Sequence, residues 1–368
     1  MSTVAPAPLL PTYARLGVTF VEGDGCKLTD SEGKTYLDLV AGIAVVALGH
    51  RHPAPLAAAH AQLDRLWHVS NLYSTVPMEE LAAALSDRCG GASAFFCNSG
   101  AEAVEAALKW ARKATGKTGL VALEGSFHGR TLGALSVTGQ PAKREPFAPL
   151  VPNVRFATEA TLADGVDDDT AAIVLEPVQG EGGVRPLAPG TLALARELAD
   201  AHGAMLVLDE VQTGVGRTGT FFAWEHEGVR PDAVTLAKGL ANGLPIGALL
   251  VADGAPTAFV PGDHASTFGG NPVACAAACA VVAAVDYEFL AHVRAVSEQF
   301  QVLPGVRGLG LLLAVELDRP AGPVVAAALE RGLLVGTAGE TALRLTPPLT
   351  ITPAEADTAI EILREVIA

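Results

Sequence analysis

Apolar and β-branched residues recur in short runs along the middle of the chain, at 92–97, 120–123, 153–157, 171–176, 205–209, 233–237 and 248–252. Each run is nearly continuous rather than alternating, and helical stretches such as 189–202 lie between several of them. Continuous apolar strands separated by helices predict a mostly parallel sheet buried on both faces. The ends of the chain have a different texture. Residues 18–22, 26–29 and 35–39 read as strands divided by Gly-Asp-Gly and Ser-Glu-Gly-Lys turns. After Asn271-Pro272, a helix start with proline at its first position, come a helix, a strand at 306–317, a helix near 322–331, and strands at 333–336 and 343–346. A final helix opens on the capping box Thr352-Pro353-Ala354-Glu355 and carries Ala356, Ile360, Leu363 and Ile367 at helical spacing. The expected fold class is α/β. A large domain spans 51–270, and a smaller α+β domain combines 1–50 with 271–368.

The strand at 233–237 ends on Lys238, and Gly239-Leu240-Ala241-Asn242-Gly243 follows. Lysine is rarely buried without a partner or a purpose. Desolvation disfavours its ammonium and leaves a neutral amine that attacks carbonyls, the chemistry of a Schiff-base lysine. A surface lysine in a loop is the plainer alternative for this residue taken alone.

Other strand ends also carry chemistry. Asn98-Ser99-Gly100-Ala101-Glu102 is a strand-to-helix junction with an S-x-x-E capping box, whose free amides suit an anion. Asp209-Glu210 follows an apolar strand, where a buried Asp209 needs a cationic partner such as a protonated ring nitrogen. Further metal ligands at sensible spacing are missing, which ranks a metal pair low. Gly125-Ser126-Phe127-His128-Gly129-Arg130 offers an aromatic ring for stacking and an arginine for a carboxylate. Glu176-Pro177-Val178-Gln179-Gly180-Glu181 and His264-Ala265-Ser266-Thr267-Phe268 are loops that suit ligands, and equally suit tight turns. Arg344 is a lone charge in an apolar strand and calls for a carboxylate.

Composition narrows the classes. The chain has 368 residues, half of them hydrophobic, and a formal charge of −15. That charge argues against nucleic acid or an anionic membrane as partner. No basic segment precedes the apolar residues at the start, and the longest apolar run, 272–285, is too short for a bilayer. Five cysteines form no C-x-x-C pair, which points to a reduced, cytoplasmic setting. Rival motifs fail. A P-loop ending at Gly116-Lys117-Thr118 would need glycine where Ala111 stands, and His50 and His52 read as turn residues rather than ligands.

In order, these segments resemble the class III (ornithine-type) pyridoxal-phosphate aminotransferases over nearly the whole chain. Supporting stretches include Gly49-His50-Arg51-His52-Pro53, His68-Val69-Ser70-Asn71-Leu72-Tyr73, Phe127-His128-Gly129-Arg130-Thr131, Asp209-Glu210-Val211-Gln212-Thr213-Gly214 and Ser266-Thr267-Phe268-Gly269-Gly270-Asn271-Pro272. The resemblance implies fold type I and pyridoxal 5′-phosphate as cofactor. It implies Lys238 as the lysine bonded to the cofactor and as the base that moves the substrate proton. By the same likeness Asp209 pairs with the ring nitrogen, Phe127 stacks on the ring and Gln212 faces the 3′-oxygen. Gly100 and Ala101 hold the phosphate through backbone amides, helped by Thr267 from the partner subunit of a homodimer. Arg130 and Ser266 match positions that contact the amine substrate, Arg344 matches the α-carboxylate arginine for glutamate or 2-oxoglutarate, and Glu181 matches a switch that neutralises Arg344. The implied reaction passes an amino group from N2-acetyl-L-ornithine to 2-oxoglutarate. Succinylornithine, succinyl-diaminopimelate or 4-aminobutyrate are alternative donors, and an aminomutase of the glutamate-1-semialdehyde type is a further one. Two departures stand out: Ala101 replaces the usual threonine, and the segment at about 286–305 reads shorter than in the family.

Overall fold

A computed structural model describes residues 8–368. The first seven residues of the expected small domain lie outside them. The central element is a seven-stranded sheet whose strands follow the apolar runs closely. The three N-terminal strands come first in the chain, β1 (Phe20–Asp24), β2 (Lys27–Asp30) and β3 (Thr35–Asp38). The large sheet then takes β4 (Ala92–Cys97), β5 (Gly119–Leu123), β6 (Val154–Ala157) and β7 (Thr170–Leu175). A short hairpin follows, β8 (Val178–Gln179) with β9 (Arg185–Pro186). The large sheet is completed by β10 (Met205–Asp209), β11 (Ala233–Leu236) and β12 (Gly247–Ala252), in the order β4-β12-β11-β10-β7-β5-β6.

All neighbours in that sheet are parallel except β12, which runs antiparallel to both β11 and β4. Every residue of β5 and β7 is buried, as continuous apolar runs require when helices cover both faces. Helix Gly100–Thr115 supplies part of one cover. It starts at Ser99, whose hydroxyl accepts the Glu102 amide, and packs Val104, Ala107, Leu108 and Trp110 against the sheet. The expected box is only half made, because the Glu102 carboxylate accepts the amide of Asn98 rather than that of Ser99. Gly116 ends the helix in the left-handed region at φ 70°.

The remaining strands form the smaller unit. The apolar run at 306–317 divides into β13 (Val306–Leu309) and β14 (Leu312–Glu316), because Gly310 turns the chain at φ 57°. With β15 (Leu333–Leu334), β16 (Gly336–Ala338) and β17 (Ala342–Leu345) they give two four-stranded sheets, β13-β14-β17-β16 and β1-β2-β3-β15. In the second, C-terminal β15 lies parallel to N-terminal β3. One core accordingly mixes Leu37 and Leu39 with Val315, Leu343, Ile360 and Leu363. The capping box at Thr352 and Glu355 is fully formed.

Helix Pro272–Ala284 buries Cys275, Ala278 and Val281 with Leu81, Phe96 and Leu236, in the core beside the large sheet. Helix Tyr287–Gln299 fills the short segment near 286–305 and sends Val293 and Val296 into the small unit's core.

Candidate active site

The carboxyl ends of β4, β5, β7, β10 and β11 all open on one cavity of about 380 Å³, where parallel sheets usually bind ligands. Its walls bring together Gly100, Ala101, Phe127, Arg130, Asp209, Gln212 and Lys238. Antiparallel β12 brings the loop Gly243-Leu244-Pro245-Ile246 to the same edge.

Lys238 follows β11 in the left-handed region at φ 40°. Burial pushes its ammonium down to about 8, while Glu181 pulls it upward. The result is a lysine that reaches its neutral, nucleophilic form at a lower pH than an ordinary lysine.

Asp209 is 4% exposed and is held on both sides. Oδ1 accepts the Val211 amide and the Thr235 hydroxyl, each at 3.1 Å, and His128 Nδ1 donates to Oδ2 at 2.7 Å. Burial by itself would lower the His128 imidazole, but the bond to Asp209 outweighs it and raises the pKa. His128 Nε2 is buried without a partner among the described residues. Beside this pair, Glu176 accepts the Phe127 amide at 2.8 Å, and burial pushes its carboxyl up to about 7 against the pull of His128. Thus the amide of Phe127 is fixed by Glu176, and the next residue locks Asp209.

Gln212 fits against Gly180, where a Cβ would come within 2.1 Å of its Oε1, and that oxygen is itself buried and without a partner among the described residues. At the opposite wall, the first amides of helix Gly100–Thr115 have no acceptor within the helix. Gly100 cannot carry a side chain, since a Cβ would meet Val211 Cγ1 at 2.7 Å.

Arg344, in β17, is 5% exposed and forms an ion pair with Glu181, which lies between β8 and β9. Burial by itself would raise the Glu181 carboxyl, but the guanidinium of Arg344 overrides this and holds it below the usual range. Arg130 is exposed at the cavity, its guanidinium carbon 5.6 Å from the centroid of the Phe127 ring.

Two expected residues stand apart. Ser266 and Thr267 line a second cavity of about 640 Å³ with His68, Asn71 and Leu72. Among the described residues, Ser266 is tied to the first site through Asn98, whose Nδ2 donates to its Oγ at 3.1 Å. Thr267 is exposed.

Pyridoxal 5′-phosphate fits this donor set. An anchored carboxylate faces the cavity together with an aromatic ring, an unpartnered amide oxygen, open helix amides and a desolvated lysine. A family model described as aminotransferase class-III matches residues 11–367. The chain belongs to the class-III aminotransferases.

Known class-III relatives and structures agree with that placement. The acetylornithine aminotransferase of Corynebacterium efficiens is 49% identical over 385 residues, covering 99% of this chain and 96% of the relative. Among solved structures, the ornithine aminotransferase of Toxoplasma gondii, reported with partial occupancy of pyridoxal phosphate at its active site, superposes with a TM-score of 0.93. It is 31% identical and covers 98% of this chain and 91% of its own. The N-acetylornithine aminotransferase of Stenotrophomonas maltophilia K279a gives 0.83 at 36% identity, with 96% of each chain covered. This class-III aminotransferase is therefore a transaminase of fold type I that uses pyridoxal 5′-phosphate.

His128 and Glu176 carry roles at the site that their sequence motifs alone do not assign. The signal for His128 was available: a buried aspartate requires a cation, and a histidine sits beside the residue expected to stack. Nothing local marked Asn98 as the link to Ser266.

Proposed function

We propose that the chain transfers the δ-amino group of N2-acetyl-L-ornithine to 2-oxoglutarate, giving N-acetyl-L-glutamate 5-semialdehyde and L-glutamate, a step in arginine biosynthesis. The observation that carries this reading is the Glu181–Arg344 ion pair near Lys238. A terminal amine presents no α-carboxylate at the reacting carbon, so a bare Arg344 there would be an uncompensated buried cation. Glu181 neutralises it for the first half-reaction. The α-carboxylate of glutamate or 2-oxoglutarate displaces Glu181 in the second. An aminomutase has no glutamate to admit, which favours the transaminase. The names of the most similar relatives point to the same donor.

Bound pyridoxal 5′-phosphate supplies the electron sink for the carbon that carries the amine. The protein positions and protonates around it. Asp209, fixed by His128, would hold the ring nitrogen protonated, Phe127 would stack on the ring, and Gln212 would meet its 3′-oxygen. The amides of Gly100 and Ala101 would bind the phosphate, joined by Thr267 of the partner subunit of a homodimer. Lys238 would hold the cofactor and move the proton at the reacting carbon. Arg130 and Ser266 grip the distal carboxylate end of the amine substrate. We extend the proposal to a cytoplasmic setting, supported by five cysteines that are all free. We take the division into domains as 51–270 for the large one, with 1–50 and 271–368 together in the small one.

Glu181→Ala tests the reading. The glutamate half-reaction is expected to persist while the acetylornithine half-reaction falls about tenfold or more, the loss of a neutralising partner beside a buried cation. Single-turnover absorbance of the bound cofactor measures each half separately. Equal losses in the two halves would rule out the switch.

A further inference from the structure

The proposed exchange at Arg344 leaves a charge unaccounted for. Once a substrate carboxylate takes the guanidinium, the partly buried Glu181 carboxylate loses its only ion-pair partner among the described residues. Stranding a partly buried anion is costly when its partner is removed, and a second cation within reach offsets that cost. Arg130 is reserved for the distal carboxylate and Lys238 for the cofactor, which leaves Lys143.

Lys143 lies on the short helix Pro141–Arg144, partly buried, with its Nζ 5.0 Å from the centroid of the Phe127 ring. Among the described residues it bonds no carboxylate, and its ammonium donates only to the neutral Oε1 of Gln140. Gln140 is anchored in turn, its Nε2 donating to the Gly125 carbonyl at 3.0 Å. The same Gly125 carbonyl lies against the loop that carries Glu181, where a Cβ on Gly182 would sit 2.6 Å from it, so the Lys143 helix stands beside that loop. Burial lowers the Lys143 ammonium while the Glu181 charge raises it. The influence is mutual, since Lys143 is among the cations that hold the Glu181 carboxyl down. A partly buried lysine satisfied by one amide gains a charge-assisted bond when a carboxylate replaces that amide.

We propose that Lys143 receives the Glu181 carboxylate when a dicarboxylate occupies Arg344, and so sets the affinity for glutamate and 2-oxoglutarate. The proposal rests on the switch reading of Glu181. In it Lys143 is a positioning residue that never touches the reacting atoms. It divides the enzyme's two substrates, because only the dicarboxylate displaces Glu181.

Lys143→Met keeps most of the side-chain stem and removes the charge. The dissociation constant for glutamate, from the single-turnover half-reaction of the holoenzyme, is expected to rise about tenfold, the scale of one lost charge-assisted contact. The acetylornithine half-reaction should change far less, and Lys143→Arg should restore glutamate affinity. Calorimetry with glutarate, an unreactive dicarboxylate, should show the same weakening without turnover. In a Glu181→Ala background, Lys143→Met should add almost nothing. Equal weakening of both half-reactions, or additive losses in the double variant, would overturn the proposal. If Glu181→Ala itself affects both halves equally, the switch falls and this inference with it. If Glu181→Ala separates the halves and Lys143→Met does not, only the role of Lys143 fails.

Discussion

At the scale of single residues, the site depends on charges held away from their ordinary states. The sequence placed Lys238 at a strand end, and the structure adds the desolvation that brings its ammonium to about 8. The sign is direct: the amine is protonated below that value and nucleophilic above it. In the apo protein, labelling of Lys238 by a water-soluble amine reagent should rise through a midpoint near 8, followed by peptide mass spectrometry. A midpoint near that of ordinary lysines, about 10.4, would remove the desolvation argument. Asp209 was legible because a carboxylate after an apolar strand stands out. That it needs a cation was legible too, but the partner that supplies it, His128, is not fixed by any local pattern, because the contact joins residues 81 apart in sequence. Lys143 was invisible for a similar reason: nothing in Gln140-Pro141-Ala142-Lys143 indicates that the helix leans over Phe127.

At the scale of elements, the apolar runs translated into strands with shifts of a residue or two, because burial on both faces leaves little freedom in where a strand lies. Two runs were exceptions: 333–336 divides between β15 and β16, and 306–317 between β13 and β14. In the second, hydrophobicity continues through the turn, and only Gly310 marks where it doubles back. A glycine there is obligatory, as a Cβ would meet the Thr218 backbone carbon at 2.5 Å. The direction of β12 was equally hidden, since its apolar pattern is the same whether it runs up or down. That direction matters at the site. Gly247, the first residue of β12, presses on the loop before helix Gly100–Thr115, and a Cβ there would lie 2.3 Å from the Ser99 carbonyl oxygen. Gly247→Ala is expected to displace Ser99 and Gly100 and weaken cofactor binding about tenfold or more, the scale of a lost hydrogen bond to a charged group. Fluorescence titration of the apo protein with pyridoxal 5′-phosphate checks this, and unchanged affinity would show that the loop absorbs the clash.

At the scale of the molecule, a single chain leaves its surface unfinished. Trp67, Leu72, Tyr73 and Phe268 are 69, 86, 68 and 62% exposed around the loop that carries Thr267. An apolar patch of that kind marks an interaction surface. The proposed homodimer covers it and delivers Thr267 to the neighbouring site. Mixing inactive Lys238→Ala subunits with weakened Thr267→Asp subunits should regenerate one whole site in each mixed dimer. Random pairing then restores about a quarter of wild-type activity, since half the dimers are mixed and each has one good site of two. No recovery would place both residues in the same site of one chain.

The pairing of β15 with β3 has a consequence in time. During synthesis the strands β1 to β3 leave the ribosome first, while Leu333 and Leu334, which close their sheet, come almost 300 residues later. At about 5–20 residues per second that gap lasts tens of seconds. Through it the β3 edge stands open, with Tyr36 and Leu37 uncovered, a template for any passing strand. The nascent chain is thus most vulnerable to wrong pairing at its oldest part, and becomes safe only when its youngest part arrives.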